Sequence, residues 1–149
     1  MSSLLGHMLY FGYGSNLDRA VFQRSCPGAE WFGAARLEDF RFTISAGGHA
    51  SVKPEVGAVV WGGLWLVPGG ELAELDTSPD APDTSYERAT RRIVSPAGPR
   101  TEATLYLSTG AAEGRPSAAY LEALIAAAKK NKLPATYVKE LESWRSKTA

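Results

Sequence analysis

The chain has 149 residues and a mass of 16.0 kDa; 44% of its residues are hydrophobic, 21% are charged, and sixteen basic side chains balance sixteen acidic ones. That length supports one domain with a core of its own, and the neutral balance supplies no global field to draw in nucleic acid or an acidic membrane. The single cysteine, Cys26, excludes an intrachain disulfide and a multi-cysteine metal site, and no apolar run is long enough to span a bilayer, so the expected setting is the reducing cytoplasm.

Residues 1–7 read as a flexible extension, with Met8 an alternative start, and residues 8–149 as the domain. Residues 7–13, HMLYFGY, form an apolar, aromatic run that suits a buried strand. Gly14-Ser15-Asn16 breaks it; Asn16 can cap a helix in which Leu17, Val21 and Phe22 recur, until Cys26-Pro27-Gly28 stops it. Strands are expected at residues 30–36, 40–45 and 56–67, and Gly62-Gly63 within the last suggests a bulge or a close backbone approach.

A short helix at 71–75 leads into the loop TSPDAPDTS at 77–85. Residues 86–95 and 102–108 pair as a hairpin across Pro96-Ala97-Gly98-Pro99. Pro116 sits in the first turn of a helix carrying Leu121, Leu124, Ile125 and Ala128, and Pro134 opens a last helix with Tyr137, Leu141 and Trp144 on one face. Strands in the middle and helices around them give an α+β plan with a small curled, mostly antiparallel, barrel-like sheet.

The strand, glycine turn and helix at residues 10–17 make the first place where chemistry can sit. Gly12 and Gly14 let the backbone approach a ligand, and the turn exposes N–H groups suited to a carboxylate or a developing oxyanion. By itself the pattern also fits a plain structural turn. Cys26, with no histidine nearby, reads as a spectator thiol. Arg88, Arg91, Arg92 and Arg100 fit a solvated strand face or an anion-binding patch. His49 is either a loop histidine or a proton shuttle.

Tyr10-Phe11-Gly12-Tyr13-Gly14-Ser15-Asn16-Leu17 resembles the YGSNL signature of the γ-glutamylcyclotransferase (AIG2-like) family. Further resemblances follow in order: Ala35 to Phe40 with an ARL-x-DF segment, Val60 to Trp65 with VWGxxW, Leu72 to Asp76 with LxxLD, and Leu133-Pro134 with Tyr137. Tyr86 with Arg88, Leu105-Tyr106-Leu107, and Pro116 with Tyr120-Leu121 extend the likeness over nearly the whole chain.

The resemblance implies cyclisation of a γ-glutamyl amine or amino acid to 5-oxoproline, without metal or cofactor. It places Tyr10, Phe11, Gly12, Tyr13, Gly14, Ser15 and Asn16 around the glutamyl head group. Tyr120 matches a pocket tyrosine, although an amphipathic helix also uses an aromatic at its core edge. The family's acid/base glutamate stands three residues after the LD pair, and here that position is Pro79. Asp80, Asp83 and Glu87 are the acidic residues near enough in sequence to replace it, Asp80 first, with a reach about 1.5 Å shorter than glutamate.

Three roles follow: an enzyme using a relocated carboxylate, a domain that binds a small glutamyl-like carboxylate without turnover, or a protein-interaction domain built on Trp31, Trp61, Trp65 and Trp144. Two of those tryptophans fall in the expected core strand, which argues against an exposed aromatic patch. The expected partner is a small molecule, not nucleic acid or membrane, and the expected assembly is a monomer.

Overall fold

Neighbouring residues of a strand point to opposite sides, and the first strand uses both sides for burial. Strand β1 (His7–Gly12) sends Phe11 one way, opposite Leu64, and Tyr10 the other, opposite Trp65. The structure, a computed structural model, describes residues 6–77, 86–108 and 112–149. The strand takes in His7, which the expected extension included, because His7 pairs with Pro68.

β1 is followed by a 3-10 turn (Ser15–Leu17) and helix α1 (Arg19–Ser25), then β2 (Glu30–Ile44), β3 (Ala50–Pro68), α2 (Gly69–Thr77), β4 (Tyr86–Val94), β5 (Arg100–Ser108), α3 (Ala118–Lys130), α4 (Ala135–Glu142) and a last 3-10 segment, Ser143–Lys147. The five strands close into a barrel in the order β1-β3-β2-β4-β5. All seams are antiparallel except β1 with β5, which is parallel where Tyr10 meets Thr104. The α+β, barrel-like reading holds. Among the described residues no helix is long and apolar enough to cross a membrane.

The middle strands are longer than their composition suggests. Residues 30–36 and 40–45 are one strand, β2, kinked where Asp39 adopts φ +65°. Opposite the kink, β3 skips from Pro54, paired with Phe40, to Val59, paired with Glu38, and Gly57 N–H donates to Asp39 Oδ1 at 3.0 Å. β3 therefore starts at Ala50 rather than 56: Pro54 and the charges around it look like loop, but pairing of residues 50–54 with β2 overrides that local preference.

Gly62 and Gly63 do mark a close approach. A Cβ on Gly62 would lie 2.5 Å from the Gly12 carbonyl oxygen, and one on Gly63 would lie 2.2 Å from the Trp31 ring. The main core joins Phe11, Leu37, Val60, Leu64 and Leu105 to Leu121, Ile125, Leu141 and Trp144 of the C-terminal helices. A second, smaller cluster packs Tyr10, Trp65 and Tyr106 against Phe22 and Cys26 of the α1 region and Leu72 of α2. Cys26 is buried there, in keeping with a spectator thiol.

Two helix starts differ from expectation. Asp18, not Asn16, caps α1, its carboxylate accepting from Ala20 N–H and Val21 N–H. Ser117 caps α3 by accepting from Tyr120 N–H, which puts Pro116 just outside the helix instead of in its first turn. In both cases the side-chain oxygen that reaches the free amides sits nearer the helix than the residue chosen from sequence.

Candidate functional site

The break after β1 is built by small residues. Gly14, at φ −110° and ψ −134°, has its Cα so close to β3 that a Cβ would stand 3.1 Å from Ala50 Cβ and 3.5 Å from the Tyr120 hydroxyl. The chain then turns through the 3-10 segment, with Leu17 N–H bonded to the Gly14 carbonyl at 2.8 Å. The opening amides of such a turn have no acceptor within it. Gly14, Ser15 and Asn16 line a cavity of about 250 Å³.

Five of the chain's six tyrosines, Tyr10, Tyr13, Tyr86, Tyr106 and Tyr120, complete most of that lining. The hydroxyls of Tyr10, Tyr13, Tyr86 and Tyr120 are tied into the frame. Asn16 Nδ2 donates to the Tyr10 hydroxyl at 2.8 Å, and Ala50 N–H donates to that of Tyr120 at 2.9 Å. Tyr13 donates to the Tyr106 carbonyl, and Tyr86 donates to the Ala50 carbonyl.

Burial pushes the Tyr13 phenol well above its ordinary range, and the neighbouring Tyr86, Tyr10 and Tyr120 act in the same direction. Burial also pushes Tyr120 up to about 12, against the lowering effect of the Ala50 amide. These phenols are neutral near physiological pH. Apart from His49, the cavity is thus lined by hydroxyls, amides and aromatic rings. Glu113, Glu122 and Glu140, whose carboxyls are shifted by Arg41, by Arg145 and by burial respectively, line no part of it.

Of the residues singled out in the sequence, Tyr10, Tyr13, Gly14, Ser15, Asn16 and Tyr120 come together here. Phe11 does not: strand alternation turns its ring into the main core, where it is fully buried. Gly12 pairs with Gly63 and acts as a spacer beneath the turn. Glu87 is exposed on β4, next to Tyr86, which lines the cavity. Pro79, Asp80 and Asp83 lie outside the described residues.

Sequence reading missed Tyr86, Tyr106 and Ala50 as lining residues, and left His49 open between a loop histidine and a proton shuttle. The hairpin register carried a signal for two of them. Tyr86 opposes Ser108 and Arg88 opposes Tyr106, so the two tyrosines share one face of the β4–β5 pair. His49 is exposed at the cavity, its ring edge-on to Tyr120 with 5.5 Å between centroids. A second, apolar cavity of about 90 Å³ lies behind Gly14, Ser15 and Tyr120, bounded by Val21 and by Ala123, Leu124 and Ala127 of α3. Among the described residues no cluster of three or more His, Cys, Asp or Glu is arranged to hold a metal ion.

Comparison with known proteins points one way. Residues 59–141 match the model of the AIG2-like family. A human γ-glutamylcyclotransferase is 29% identical over 145 residues, covering 91% of this chain and 77% of the human one, and a bovine γ-glutamylcyclotransferase matches to the same extent. A solved structure named γ-glutamyl cyclotransferase superposes with a TM-score of 0.83 at 28% identity, over 92% of this chain and 87% of its own. A human crystal structure described as an uncharacterized protein gives 0.81 at 30% identity, over 93% and 88%.

Proposed function

Because this chain belongs to the AIG2-like family, we propose that it is a γ-glutamylcyclotransferase-type enzyme, cyclising a γ-glutamyl amine or amino acid to 5-oxoproline and releasing the amine. The observation that carries the reading is the turn at Gly14, Ser15 and Asn16, which lines a small cavity together with five tyrosines. A volume of about 250 Å³ is below that of drug-sized sites and suits one amino-acid head group. The named relatives support the same reaction class.

The substrate's α-amine attacks its own γ-carbonyl. Holding the glutamyl chain bent in the cavity turns that encounter into a ring closure with both reactants in one molecule, which removes much of the entropic barrier. The γ-carbonyl oxygen lies against the amides of Gly14, Ser15 and Asn16, which stabilise its negative charge in the tetrahedral intermediate. The Tyr120 hydroxyl and the Asn16 side-chain amide bind the α-carboxylate by hydrogen bonds. The α-ammonium must first lose a proton, and Asp80 is the carboxylate assigned to take it. Asp80 belongs to the segment that ends at Tyr86, itself a lining residue. The working protein is a cytoplasmic monomer whose partner is the small γ-glutamyl ligand, with no cofactor.

Pro79 at the family's glutamate position favours a second reading, in which the cavity binds a glutamyl-like carboxylate without turnover. Incubation of the purified protein with γ-glutamyl amines and amino acids, followed by assay for 5-oxoproline, separates the two. The enzyme reading expects product from at least one substrate and a loss of roughly 10²–10⁴-fold in Asp80→Asn, the usual contribution of a general base. Thermal stabilisation by 5-oxoproline with no product from any substrate, and activity appearing in Pro79→Glu, supports the binding reading instead.

A further inference from the structure

Cyclisation also needs an acid. The departing amine is a poor leaving group unless its nitrogen is protonated as the C–N bond breaks. Among the described residues that line the cavity, Tyr13 and Tyr120 hold their protons too tightly for this, and His49 supplies an imidazole, the side chain most used for general acid catalysis.

The frame around His49 is unusually well fixed for an exposed side chain. Its carbonyl accepts from Ser45 N–H at 2.8 Å and lies 3.2 Å from the Tyr86 hydroxyl. Gly48, at φ +87°, closes the preceding turn by donating to the Ser45 carbonyl at 2.9 Å. The next residue, Ala50, is the one against which Gly14 packs, and Tyr120 touches both sides: its hydroxyl holds Ala50 N–H and its ring meets the imidazole edge-on. The oxyanion turn and the imidazole thus stand on adjoining segments braced by one tyrosine. A carbonyl carbon whose oxygen sits at Gly14–Asn16 shares this one small cavity with the exposed His49.

Resting on the cyclotransferase reading, we infer that the His49 imidazolium is the general acid that protonates the leaving amine. In the collapse of the tetrahedral intermediate the C=O double bond re-forms and the bond from carbon to the leaving nitrogen breaks. Its electron pair stays on that nitrogen, which takes the proton from the imidazolium N–H. The α-nitrogen loses two protons on becoming the lactam N–H, and the leaving nitrogen gains two on departing as an ammonium ion, so the carboxylate and the imidazole together carry protons from one nitrogen to the other.

The test compares wild type with His49→Gln on two substrates that share the glutamyl group. One is a γ-glutamyl alkylamide, whose amine must be protonated to leave; the other is γ-glutamyl-p-nitroanilide, whose weakly basic amine leaves without help. His49→Gln is expected to lose roughly 10²–10⁴-fold in kcat on the alkylamide and less than about tenfold on the nitroanilide. A purely positional role for His49 would lower both rates equally, and equal loss, or no loss on either substrate, overturns the inference. Wild-type protein that turns over neither substrate removes the cyclotransferase reading itself, and this role with it.

Discussion

Tyr120 shows how a single residue links the site to stability. An unfolded chain ionises this phenol near 10.0, whereas the folded one keeps its proton to about 12, because burial penalises the phenolate. Between those values the unfolded state binds fewer protons than the native state, so stability is full below pH 10.0 and falls as the pH rises towards 12. A difference of two units corresponds to about 3 kcal/mol. Tyr13, shifted in the same direction by its own burial, adds to the loss. Urea midpoints measured at intervals across this range should decline together with a late rise in phenolate absorbance. A midpoint that stays flat to pH 12 would mean that these phenols are solvated. The same tightly held protons explain why the Tyr13 and Tyr120 hydroxyls do not serve as bases here.

At the scale of strands and helices, the glycine pair in β3 separates folding from function. Gly62 faces the Gly12 carbonyl, two residues ahead of the ligand turn, and Gly63 faces the ring of Trp31 in the second core. Alanine at either position overpacks its neighbours and should cost about 1–3 kcal/mol, read as a lower urea midpoint. Only Gly62→Ala pushes on the strand that carries the site, so only that variant should also raise KM; equal KM effects would contradict this division. The glycine pair was legible in sequence because it interrupts an apolar strand, and so was the turn at residues 14–16. The length of β3 was not, since Pro54 and its charged neighbours carry no strand preference and are held by long-range pairing with β2. Phe11 was placed in the site by its position in a motif, whereas strand parity sends it to the core. Tyr86 and Tyr106 were missed because a residue's part in a cavity depends on what packs opposite, which a linear pattern does not encode.

Taken as a whole, the described strands close into a barrel whose β1–β5 and β2–β4 seams are each joined at a single residue pair. Equal numbers of basic and acidic side chains and a pI near 6.7 leave little net charge at neutral pH, conditions under which association is resisted by surface polarity more than by repulsion. The C-terminal helices supply much of the main core, and α3 also runs beside the ligand turn. Near its start, Tyr120 reaches Gly14 and Ala50; at its end, Asn131 Nδ2 donates to the Leu17 carbonyl at 2.7 Å. One rod therefore grips the turn at both ends, and the turn has no means of swinging away by itself. The Leu17 amide hydrogen, bonded to the Gly14 carbonyl, should exchange with deuterium in step with those of α3, and Asn131→Ala should release it while the helix stays protected. Such a turn works as a fixed mould, to which the ligand adapts by bending.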